Sequence, residues 1–349
     1  MKILITGNMG YVGPGVTRRL RQSYPDAELV GLDMAYFAHC LTNASVLPER
    51  YLDKQIFMDV REVPAELLKG FDAVVSLAAI SNDIMGKIDE SLTMDVNCHA
   101  GVKIAQMAKK AGVRSFVFAS SCSVYGAGGE GAKTEKADVN PLTAYAKSKI
   151  ETEKLLKPLA DEKFKVTCLR FATACGMSDR LRLDLVINDF VACALAAKKI
   201  TVLSDGTPWR PLIHVKDMAR AIDWAIGRDA KTTGGDYLMC NTGSDIWNYQ
   251  VKELAEAVAK EIPGTTVDIN LQAPPDKRSY RVDFSLFKRL APNHQPEVDL
   301  KTAVRELKEG LEAMRFSNSE FRDSDFMRIK VLTGHRDAGR LTQDLCWTE

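Results

Sequence analysis

The chain has 349 residues, 46% apolar and 27% charged, the profile of an ordinary folded protein with a substantial core. Its 47 Lys and Arg against 46 Asp and Glu leave a net charge of +1, so no global field draws it to nucleic acid or to an anionic membrane. No apolar run approaches the ~18–20 residues of a membrane span, and a first strand beginning at residue 2 leaves no room for a secretory leader.

An apolar run at residues 3–5 has the length of a buried parallel strand and leads into Gly7, Gly10 and Gly13. A helical pattern carrying Val16 and Leu20 follows. The first glycine permits a tight turn, the second lets backbone approach a pyrophosphate, and the third allows close helix–strand packing. Free N–H groups at the start of the helix favour the phosphates, and Met9, Tyr11 and Val12 complete the loop. Three glycines alone also suit a ligand-free strand–turn–helix. Asp33 separates the two readings. It ends the second apolar run, 29–32, where a carboxylate hydrogen-bonds an adenosine ribose and repels a 2′-phosphate. Met34 and Ala35 bring no arginine, so NAD is expected rather than NADP.

Strand character returns at residues 56–58, before Asp59-Val60-Arg61, and again at 73–79, 115–121 and 165–171. Helical periodicity covers about 92–111 and 143–160, and a glycine-rich loop spans 126–131. This alternation predicts an α/β fold, a doubly wound parallel sheet with ligands beyond the carboxyl ends of its strands. The eight cysteines lack C-x-x-C or Cys/His metal spacing, and several, such as Cys168, lie inside apolar runs. Reduced thiols, no metal site and a cytoplasmic protein are therefore expected. After residue 171 the pattern loosens. Residues 1–171 and 211–235 are assigned to the dinucleotide domain, and 172–210 and 236–314 to a smaller, discontinuous α/β substrate lobe. Residues 315–349 read as a wrapping extension.

Tyr145 and Lys149 stand four apart on a predicted helix, so both project from one face. A tyrosine of ordinary pKa ~10 is a poor base at neutral pH, but a neighbouring ammonium favours its phenolate. Strand alternation would put Ser121 and Ser123 on one face, with Cys122 on the other, and a Ser121 hydroxyl could bind the same substrate oxygen as Tyr145.

In order along the chain stand Thr6-Gly7-x-x-Gly10-x-x-Gly13, Asp33, Asp59-Val60-Arg61, Leu77-Ala78-Ala79, Ser120-Ser121-x-Ser123-Val124-Tyr125-Gly126, Asn140-Pro141, Tyr145-x-x-x-Lys149 and Leu169-Arg170-Phe171. Arg210-Pro211-Leu212-Ile213-His214-Val215-Lys216-Asp217 and Asp276-Lys277-Arg278-Ser279-Tyr280 follow. The series resembles the extended short-chain dehydrogenases/reductases, in particular the NAD-dependent nucleotide-sugar epimerase/dehydratase family, over about residues 1–312. The resemblance implies a Rossmann domain in which Gly7, Gly10 and Gly13 hold the pyrophosphate, Asp33 the ribose, and Asp59 and Val60 the adenine. Leu77, Ala78, Ala79, Asn97 and Phe171 would line the rest of the cofactor site, with Tyr145 and Lys149. Ser121, Tyr145 and Lys149 would be catalytic. Ser121, Ser123, Thr173, Asn188, Arg210, Arg278 and Tyr280 would contact the nucleoside-diphosphate sugar, with Arg210 on its diphosphate.

Two departures bear on the reaction. Sugar 4,6-dehydratases of the family carry an Asp-Glu pair where this chain has Cys122 and Ser123, neither an acid of suitable pKa, so dehydration is disfavoured. The stretch Arg180-Leu181-Arg182-Leu183-Asp184 and the long tail set the chain apart from common galactose epimerases. The leading expectation is C4 epimerisation through a 4-keto sugar. A dehydrogenase or keto-sugar reductase would use the same residues, and a non-catalytic NAD-binding sensor or scaffold is the alternative of another class. The helices at 92–111 and 143–160 are expected to pair in a homodimer.

Overall fold

Ile3 and Ile5 point to one side of strand β1 (Lys2–Thr6) and Leu4 to the other, and all three are fully buried. A strand buried on both faces needs helices on both. In the computed structural model, which describes residues 1–81, 89–129, 131–273 and 278–348, helix α1 (Gly13–Ser23) covers the first face through Val16 and Leu20. The chain continues through β2 (Glu28–Asp33), β3 (Lys54–Phe57) and β4 (Ala73–Ser76). Helices α2 (Glu90–Met94) and α3 (Ala100–Lys110) then lead to β5 (Ser115–Ser121). Ile104, Ala105 and Ala108 of α3 cover the second face, against Val74, Phe116 and Phe118.

After the short β6 (Ala132–Lys133) come α4 (Ala144–Leu156) and β7 (Lys165–Phe171). The chain then leaves the main sheet for β8 (Thr173–Cys175), α5 (Val186–Ala197), β9 (Lys199–Val202) and β10 (Trp209–His214). Helix α6 (Val215–Gly227) returns to pack beside α1, and β11 (Tyr237–Thr242) closes the main sheet. The seven strands run in the order 3-2-1-4-5-7-11, with every neighbouring pair parallel. The order reverses between β1 and β4, which opens a crevice beyond their carboxyl ends.

The smaller lobe contains β12 (Asn248–Gln250), α7 (Val251–Glu261), β13 (Thr266–Ile269), β14 (Arg281–Val282), α8 (Ser285–Leu290) and α9 (Leu300–Ala313). Strand β10 lies between β8 and β12, β9 pairs with β13, and β14 pairs with β6 beneath the glycine-rich loop. The tail forms helix α10 (Arg328–Asp337), followed by a single bridge between Leu341 and Trp347.

Three sequence expectations change. Residues 237–242, assigned to the smaller lobe, are the outermost strand of the main sheet, because Leu238 and Cys240 bury against the core. The helix read over 92–111 is broken by a π-type turn, Asp95–His99, which aims Asn97 inward. Ser123 does not share a strand face with Ser121. Strand β5 stops at Ser121, and Cys122–Tyr125 turns as a 3-10 helix whose start the Ser121 hydroxyl caps, accepting from Ser123 N at 3.1 Å.

Candidate active site

The glycine loop is built by close backbone approach. Gly7 has φ +76°, and a Cβ there would lie 2.5 Å from Ala78 N, so the loop after β1 presses onto the Leu77–Ala79 stretch after β4. A Cβ on Gly13 would overlap Asn8 O, which fixes the start of α1 against the turn. Gly10 is partly exposed between them. Helix α1 opens with Val12 as an N-cap that has no capping side chain, and its first turn holds no acid. Its leading N–H groups and partial positive charge therefore suit a phosphate-bearing ligand at this end.

Asp33 ends β2, its carboxylate accepting from Met9 N at 3.0 Å and Ala35 N at 2.8 Å. Burial raises its carboxyl pKa above the ordinary range, and those two N–H groups oppose the rise. Asp59 is gripped by Arg61 through Nε and Nη2 at 2.5–3.0 Å, with Val60 buried beside it. Asn97 spends its amide on both backbone groups of Ile80 and on Ser148 Oγ. It acts on the crevice by fixing the 77–80 stretch. Tyr11 and Asn188 are likewise committed: Tyr11 donates to Gly176 O at 2.6 Å and accepts from Asn188 Nδ2 at 3.0 Å. Asn188 is fully buried and also holds Gly176 N and Arg182 O, so its side chain shapes the lobe from within. Phe171 is buried at the end of β7, while Thr173 begins β8 and is half-buried.

Ser121 at the end of β5 and Tyr145 in the first turn of α4 stand on adjacent elements at this same carboxyl edge. Thr143 caps α4 by accepting from Ala146 N, which sets the helix start one residue before Tyr145. One turn later, Lys149 is almost fully buried. Its Nζ donates to Ala119 O at 2.7 Å and lies 5.3 Å from the Tyr145 ring centre. Burial brings its ammonium down from 10.5 to about 8, against the pull of Glu153. Behind it Glu153 accepts from Arg170 at 2.6–3.2 Å and from Ser120 Oγ at 2.5 Å. Arg170 Nη1 reaches the Tyr125 hydroxyl at 3.1 Å, which in turn donates to Asn241 Oδ1 at 2.6 Å. This buried network ties α4 to β5, β7 and β11.

Cys122 is fully buried, with its thiol donating to Arg170 O, and burial pushes that thiol's pKa far up. Ser123 Oγ is a buried hydroxyl without a partner among the described residues. On the lobe side, burial is the main force raising the Tyr280 phenol. Cys122 adds to it, and Arg210 and Arg278 draw it back, so these groups share one region with Tyr145. Arg210 also donates to Trp209 O at 2.9 Å. Asp276 and Lys277 lie outside the described residues.

A model of the NAD-dependent epimerase/dehydratase family matches residues 3–240. The chain belongs to this family. The UDP-glucose 4-epimerase of Bacillus subtilis is 28% identical over 295 residues, covering 75% of this chain and 84% of that protein. UDP-glucuronic acid decarboxylase 6 of Arabidopsis thaliana is 25% identical over 313 residues, 87% of each chain. Among solved structures, the UDP-glucuronic acid 4-epimerase from Bacillus cereus superposes with a TM-score of 0.75 at 23% identity, over 90% of this chain and all of that one. Members of the family are NAD-dependent, and NAD is the cofactor whose phosphates the uncapped start of α1 suits. Among the described residues no helix is long and apolar enough to cross a membrane.

Arg182 was present in the sequence without a role. In the fold it is buried, bound to Asp184 at 2.5 and 2.8 Å and to Ser81 Oγ at 2.8 Å, and it feels both Tyr11 and Tyr145. The only sequence signal was charge inside an apolar run, which ordinarily marks a buried pair.

Proposed function

We propose that the chain interconverts the C4 epimers of a nucleoside-diphosphate sugar through a 4-keto intermediate. When bound, NAD supplies the hydride acceptor and, on the return, its donor. Tyr145 takes the proton of the ring hydroxyl as its carbon is oxidised and gives one back after the keto sugar has turned in the site. Lys149, protonated below about pH 8, holds the phenolate that this role requires. Ser121 and the orphaned Ser123 hydroxyl offer bonds to the reacting oxygen and its neighbours. Arg210 and Arg278 face the diphosphate, with Tyr280 and Thr173 against the sugar and nucleotide.

The observation that carries this reading is the buried ammonium 5.3 Å from the ring of Tyr145, held by Ala119 O toward the carboxyl end of β5. The Cys122 thiol, buried and raised in pKa, disfavours dehydration, which needs an acid there. The relatives named for epimerising UDP-glucose or decarboxylating UDP-glucuronic acid favour a UDP-sugar substrate. Purified protein without added NAD is incubated with UDP-, dTDP-, GDP- and CDP-sugars, and products are read by NMR. An epimer of one of them supports the reading; stoichiometric NADH release with a keto product overturns it.

A two-fold homodimer through α3 and α4 belongs to the same proposal. Leu155, 40% exposed on α4, and Leu142, 43% exposed just before it, leave apolar surface uncovered along this element. Light scattering at micromolar concentration is expected to give twice the chain mass, and one chain mass refutes it.

A further inference from the structure

We infer that the C-terminal segment, residues 341–348, is part of the dinucleotide site and clasps its adenosine end. The inference rests on NAD lying in the crevice, and it deepens the closed reaction cycle proposed above. These residues come from beyond the matched family region, which ends at 240.

One short stretch reaches the segments that follow three strands of the main sheet, β2, β3 and β4. After β2, Met34 O accepts from Trp347 Nε1 at 2.6 Å, and the Tyr36 hydroxyl donates to Leu345 O. His335, just upstream, takes Arg340 Nε on Nδ1 at 2.9 Å, so its Nε2 carries the proton that binds Tyr36 O at 3.1 Å. After β3, the Arg61 guanidinium that grips Asp59 also donates through Nη2 to Asp344 O at 2.8 Å and touches Cys346 Sγ at 3.2 Å. After β4, Ile80 packs with Leu341, Leu345, Ile329 and Leu332 of the tail.

The contact has the marks of a built one. Ala35 and Leu345 both take left-handed backbone, with φ +62° and +58°, which side chains adopt only where surroundings enforce it. Trp347 also walls an apolar cavity of about 340 Å³ with Met34, Ala35, Phe57 and Met58. Four of its lining residues directly follow Asp33 or directly precede Asp59 in the chain, the two acids to which the resemblance assigns ribose and adenine. Ligands of this fold sit outside these strand ends. A dinucleotide lodged there is bridged over by the tail and leaves only when the tail lifts. Retention has a chemical purpose: a dinucleotide lost between the two half-reactions would strand the sugar as a ketone.

The test compares the full chain with Trp347→Ala and Leu345→Asp. Bound NAD is assayed after desalting, and its release is timed by displacement with fluorescent etheno-NAD. Trp347 is 40% exposed, so its loss spares the fold, and melting without NAD checks this. Release is expected to quicken about 10-fold or more in both variants, since weakened binding appears mainly in the off-rate. Hydrogen exchange on the unaltered chain is the second readout, and the amides of 341–348 are expected to slow when NAD is added. Unchanged release in both variants, unchanged exchange, or failure to bind NAD overturns the inference. Tight NAD binding without sugar conversion counts against the proposed epimerisation alone.

Discussion

The two ends of the crevice are built in opposite ways. At the Tyr145 end a lysine and an ion pair are buried: Lys149 is 2% exposed, and Arg170 and Glu153 interlock behind it. At the end beside Asp33 and Asp59, which we assign to the adenosine, the tail's contacts are half-exposed, with Trp347 resting on Met34 O and Arg61 reaching main-chain oxygen. Buried charge costs stability but fixes geometry, whereas rim contacts are weaker and can open. The difference teaches where this molecule spends stability: on the buried lysine and ion pair beside Tyr145, and far less on the contacts of the tail.

The largest expected effect breaks the chemistry alone. Tyr145→Phe removes general acid/base help and should lower turnover by about 10²–10⁴-fold with little change in melting, read by product NMR and calorimetry. Arg170→Met should do the reverse. It leaves Glu153 buried without its partner and should cost about 3–5 kcal/mol in denaturant unfolding.

Lys149→Met sharpens the contrast further, because it should lower turnover, by less than Tyr145→Phe does, while stabilising the cofactor-free protein. Burial holds the folded ammonium at about 8 against an ordinary 10.5. Below about 8 both folded and unfolded chains carry the charge and the folded one bears its full cost, up to ~3 kcal/mol. Between about 8 and 10.5 the unfolded chain binds the extra proton, so stability of the parent rises with pH and the advantage of the variant fades. Unfolding curves at pH 7 and 10 check this. The same titration predicts that the parent's turnover falls as pH climbs through about 8, where the phenolate loses its counter-cation. The smallest effect is at the other end. Tyr36→Phe removes one bond to Leu345 and should cost about 1 kcal/mol.

The sequence was legible where one residue type has one physical use. Glycine at position 7 with φ +76°, an acid ending β2, and a tyrosine and lysine one helical turn apart could be read without coordinates. Long-range partnerships could not. Nothing local predicts that Asn97 would turn inward through a π-type turn to hold Ile80, or that Ser121 would cap the turn carrying Ser123. Strand 237–242 was misplaced because its spacing from β7 is long, and strand pairing across a lobe insertion leaves no periodic mark. The tail could be read as a wrapping extension, but where it docks could not, for the same reason: Trp347 and Met34 are 313 residues apart.

The central claim is tested most directly by following the hydrogen at the reacting carbon. UDP-glucose carrying deuterium at C4 is incubated with the purified protein, with no NAD added, and the label is tracked by NMR. The account predicts a C4 epimer that keeps its deuterium, without net NADH. Label lost to solvent, or a 4-keto product whose deuterium leaves on free reduced cofactor, would contradict it.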